Sequence, residues 1–168
     1  MKALRVVATA VLVTVFSTLA LSQEKKAGVV PTDQLKKVIP TDFFFDGQVA
    51  PVQLRNSVAI RTQSGKIVEA GLVDTSGYSA NIAQKYQGFF VTETKVTIEG
   101  TPVTPGAYGF GFGADGKFRI MDLGQNEIAT PSYQNDADLK RAVPLMVVPQ
   151  GNTYRLYTGK KYVTIEVQ

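Results

Sequence analysis

Apolar residues along most of this 168-residue chain recur at every second position, and turn residues interrupt them about every eight to twelve positions. Val58 and Ile60 alternate with Ser57, Ala59 and Arg61 before Ser64-Gly65 turns the chain, and Val68, Ala70 and Leu72 then share one face. Phe90, Val96 and Ile98 oppose Glu93, Lys95 and Thr97 in a longer strand ending at Glu99-Gly100. Asp115-Gly116 is a hairpin signal joining Ala107–Gly113 to Lys117–Leu123. Val143–Val148, the stretch around Tyr154 and Leu156, and Val163, Ile165 and Val167 complete the pattern. The expectation is a mainly β fold, an antiparallel sandwich or small barrel of roughly eight strands.

Helical periodicity is confined to one place. Ser79 can cap Ala80–Gln87, where Tyr78, Ile82 and Tyr86 recur every fourth residue before Gly88. Single turns of helix are also expected after Thr32 or Asp33 and over Asn135–Lys140.

The first residues read as an address. Lys2 and Arg5 precede an apolar run, Val6 to Leu21, and Ala20-Leu21-Ser22 fits a small-x-small cleavage site. Residues 1–22 are therefore expected to be a signal peptide, 23–40 a polar, lysine-rich spacer, and 41–168 a single β-rich domain, secreted or periplasmic and without a stable membrane span once the leader is removed. The formal charge is +4, of which the leader carries two charges, so nothing supports nucleic-acid binding.

Cys, His and Trp are absent from the sequence. Disulfides, thiol nucleophiles, imidazole bases and His- or Cys-ligated metals are thereby excluded. No cofactor or metal is expected. Carboxylates are the remaining acid-base groups, and Glu69, Asp74, Asp122, Asp136 and Asp138 lie in or beside strands, although spacing does not show which of them converge. Asn135-Asp136-Ala137-Asp138 offers oxygens that would suit calcium, but lacks the glycine and distal glutamate of an EF-hand loop and reads as a solvated turn.

Gly106–Gly113, GAYGFGFG, is the least ordinary segment. In a strand, Tyr108, Phe110 and Phe112 share one face, while Gly109, Gly111 and Gly113 leave the other nearly bare. Something should approach that face closely: a packed helix or second sheet is the first expectation, a backbone-floored ligand groove the second. Val96–Phe110, VTIEGTPVTPGAYGF, resembles the strand, Pro-Gly turn and strand of some secreted bacterial β-domain families of unknown function. That resemblance implies a β-domain and transfers no functional residues.

Phe43-Phe44-Phe45 is apolar on both strand faces, which implies either full burial or one face offered to a partner. Arg155, Lys160 and Lys161 beside Tyr157 and Tyr162 form a basic-aromatic hairpin, expected to be a solvated face. With no recognisable catalytic machinery, the expectation is a non-catalytic binding or interaction module for an unknown small ligand or envelope protein. The alternatives are a carboxylate-based hydrolase acting on carbohydrate or cell-wall material, and a structural component of an envelope assembly.

Overall fold

The computed structural model describes residues 26–168, so the expected leader and its cleavage site lie outside the described residues. Two antiparallel sheets carry the chain, joined into no closed barrel. The first contains β1 (Gly28–Val29), β3 (Gln48–Arg61), β4 (Ile67–Val73), β5 (Gly88–Thr92), β8 (Gly106–Phe112), β9 (Phe118–Met121) and β10 (Glu127–Ala129) in that spatial order. A further strand, β2 (Asp42–Phe45), pairs with the beginning of β3. The second sheet runs β12 (Val143–Gln150), β13 (Thr153–Gly159), β14 (Lys161–Val167), β6 (Val96–Ile98) and β7 (Thr101–Val103), with β11 (Gln134–Asn135) also on β14. The strands outnumber the expected eight because several are only two or three residues long.

Alternation of side chains gives the sandwich its core. Ile60, Val68, Phe90, Phe110, Phe118 and Ile120 from the first sheet meet Ile98, Leu156, Val163 and Ile165 from the second, all nearly or fully buried. The chain crosses between sheets within the segment Val96–Phe110: β6 and β7 pair in the second sheet across the Glu99-Gly100 turn, and β8 enters the first. Phe112 and Phe118 are paired across the hairpin at Asp115-Gly116, where Gly116 has φ +81°.

The first sheet is buried on its other face too. A second apolar cluster contains Val30, Leu35, Ile39, Phe43, Phe45, Tyr78, Tyr86 and Phe89. Phe45 stacks on Tyr86 with ring centroids 4.0 Å apart, and Phe43 on Phe89 at 5.2 Å. The residues expected to form a spacer therefore contribute to the fold. Val30, Leu35 and Ile39 pack on the sheet, and the turn after Thr32 is α1 (Thr32–Leu35). The other helix, α2 (Ala80–Ala83), is one turn long, and Ser79 makes no side-chain cap. Tyr78 and Tyr86 are nevertheless buried, as a single apolar face requires. Asn135–Lys140 forms no helix; it begins as strand β11 and continues as irregular chain. No helix among the described residues is long and apolar enough to cross a membrane.

Candidate functional site

The glycine face of β8 is filled. Gly109 lies against the ring of Phe45, and Gly111 against the Lys85 carbonyl just beyond α2, so closely that an added Cβ would collide with either. Gly113 lies beneath Arg119 and Asp115. Arg119 makes a charge-assisted pair with Asp115 and also donates from Nε to Glu127 at 3.2 Å, and Lys85 Nζ reaches Glu127 at 3.4 Å. Hydrogen bonding from Arg119 holds the Asp115 carboxyl down at about 2. The three glycines thus accommodate an aromatic ring, a peptide carbonyl and an ion pair, and among their neighbours there is no room for a ligand groove.

The phenylalanine triplet divides by parity. Phe43 and Phe45 are buried, whereas Phe44 is 50% exposed opposite Val49, itself 64% exposed. Only Phe44 is placed to meet a partner.

Most of the sequence-named carboxylates serve their own loops. Asp74 Oδ1 accepts from the Ser76 N–H at 3.0 Å, and Asp122 Oδ1 accepts from the N–H groups of Gly124 and Asn126 at 2.9 Å. Asp136 Oδ1 accepts from the N–H groups of Asp138 and Leu139, and its Oδ2 accepts the Tyr157 hydroxyl proton at 2.8 Å. That hydroxyl is the main reason the Asp136 carboxyl lies below its ordinary range. Asp138 is exposed. No group of three or more potential metal-ligating side chains occurs among the described residues. Far from being solvated, Tyr157 and Tyr162 are buried beneath this segment, with Arg155 over the Tyr162 ring at 4.5 Å.

Glu69 differs from these. It lines a cavity of about 270 Å³ with Glu93, Lys37, Val38, Ile67 and Val91. Burial first, and the Glu93 charge second, push its carboxyl up to about 7. Glu93 accepts the Ile67 N–H at 2.6 Å. Sequence spacing missed Glu93 because the two carboxylates meet only through pairing of β4 with β5, which sets Glu69 opposite Val91.

A larger cavity, about 550 Å³, opens at one end of the sandwich. It lies between the β3–β4 turn and the β12–β13 turn. Ile60, Tyr154 and Val167 contribute apolar surface, and Thr62, Gln63, Ser64 and Asn152 contribute polar groups. Gly28 of β1, with Ala27 before it, completes one wall. Among the described residues, Arg61 is the one charged residue on this lining, is 7% exposed, and donates a long 3.5 Å hydrogen bond to the Gly65 carbonyl. It has no ion-pair partner among the described residues. Such a buried cation gains most from a hydrogen-bonding anion. Arg61 gave no signal in the sequence, because only the approach of two turns from different sheets makes the cavity.

Comparison with protein-family models, curated proteins and solved structures finds no match to this chain.

Proposed function

We propose that this protein is a non-catalytic binding module of a secreted or periplasmic compartment, and that it takes a small anionic ligand in the cavity at the open end of the sandwich. The observation that carries this reading is the lining of that cavity, which among the described residues consists of apolar residues, neutral polar residues and one buried arginine, with no acidic side chain. Its volume lies within the roughly 300–1,000 Å³ of small-molecule sites. Apolar surface supplies affinity, while an Arg guanidinium supplies charge and orientation. Thermal shifts with a set of small carboxylates, phosphate esters and neutral sugars test it. At least one anion should raise the midpoint, and Arg61→Gln and Asn152→Trp, the second obstructing the opening, should each abolish that rise. A rise that persists in both variants, or arises only with neutral compounds, overturns the assignment.

A carboxylate hydrolase is the second reading, favoured by the adjacency of Glu69 and Glu93. A carboxyl held near 7 suits a general acid. It requires cleavage of a glycan that is lost in both Glu69→Gln and Glu93→Gln.

A further inference from the structure

Residues Val30 to Ile39 form a strap across the outer face of the first sheet. Val30, Leu35 and Ile39 are buried there, and the Val30 N–H donates to the Ala59 carbonyl at 2.8 Å. Near its end, Lys37 and Val38 line the small cavity that contains Glu69 and Glu93. The strap thus borders two carboxyls, Glu69 of β4, which is half-buried, and Glu93 just past the end of β5, which is exposed.

We propose that Glu69, with Glu93 beside it, forms a proton-operated latch: the strap stays seated against Glu69 while that carboxyl is protonated and is loosened when both carboxyls are ionised. The ionised Glu69 is repelled by the neighbouring Glu93 charge and draws water into a space walled by Val38, Ile67 and Val91. Hydration is most easily gained by lifting the cover, which is attached less extensively than the strands beneath it.

The charged groups around Glu69 agree with this direction. The strap brings Lys37, whose exposure leaves it screened by solvent. The end of β5 brings Glu93, engaged with the Ile67 N–H. On β3, Ala59 pairs with Glu69 and Arg61 with Ile67, which places Arg61 farther along the same face, with its guanidinium bonded to Gly65 rather than to either carboxylate. On β8, Ala107 pairs with Val91 and adds no charge.

The Glu69 carboxyl titrates at about 7 in the folded protein against an ordinary 4.5. The folded state therefore retains a proton that the unfolded chain has lost between those values. Stability falls as pH rises through that interval and levels off above it. Ala27 and Gly28, just before the strap, also line the larger cavity. An effect of the latch on ligand binding rests on the proposed function; the latch itself does not.

Hydrogen exchange of the full chain, corrected for the intrinsic dependence of exchange on pH, tests the proposal. Protection of the Val30, Val38 and Ile39 amides should fall on the order of tenfold between about pH 6 and about pH 8, while amides of β8 and β9 hold their protection. Glu69→Gln should keep the strap protected at both values. Glu93→Gln, which removes the charge that helps to raise the Glu69 carboxyl, should move the change in the wild-type profile to a lower pH and shrink it. The latch is refuted by equal wild-type protection at both pH values, by a Glu69→Gln profile that falls like wild type, or by a Glu93→Gln profile identical to wild type. Should Glu69→Gln fail to fold, the wild-type and Glu93→Gln profiles decide alone.

Discussion

Gly111 shows how one missing side chain fixes the distance between elements. The Lys85 carbonyl occupies the place of a Cβ at this position. Gly111→Val should therefore lower stability by about 1–3 kcal/mol or more, measured from denaturant midpoints, because backbone on both sides must separate. The phenylalanine triplet makes a paired test. Phe45→Ala empties a site stacked on Tyr86 and should cost about 3–5 kcal/mol, whereas Phe44→Ser, on the exposed side, should remain within about 0.5 kcal/mol of wild type. Loss of a binding partner with retained stability in Phe44→Ser would favour the envelope-assembly role. Period-two spacing predicts that Phe43 and Phe45 share a face; which face is covered depends on Tyr86 and Phe89, some forty residues away in the chain.

At the scale of elements, turns carry much of the legible information. Asp46-Gly47, with φ of 49° and 74°, closes the β2–β3 hairpin with Phe45 opposite Gln48. Asp-Gly is as plain a hairpin signal here as at Asp115-Gly116, but the aromatic triplet before it lacks the polar alternation that marks a strand. Gly47→Ala should cost about 1 kcal/mol, since alanine gains a Cβ in a left-handed conformation. The loop through Asp136 is held by its own hydrogen bonds and by Tyr157. A chelator should leave the thermal midpoint unchanged, whereas Asp136→Ala should lower it and Asp138→Ala should not; a chelator shift of several degrees would identify a structural ion. The lysine-rich strap resembled a spacer because its three buried apolar residues, Val30, Leu35 and Ile39, fit neither strand nor long-helix spacing.

For the whole molecule, intact mass of the exported protein checks the proposed processing: the mature chain should begin at Gln23, and a retained leader would defeat both the cleavage site and the assignment to a secreted or periplasmic compartment. Alternation alone determined that the described chain is mainly β and antiparallel, and the lack of Cys and His determined which chemistries it forgoes. Both follow from local properties, the two-residue repeat of a strand and the functional groups of side chains. Only the tertiary structure decided that one sheet is covered on both faces, that Glu69 meets Glu93, and that Arg61 lines a cavity at the open end. Each of these depends on strand order and register, which arise from long-range packing of faces that look alike along the chain, so no spacing within one segment encodes them.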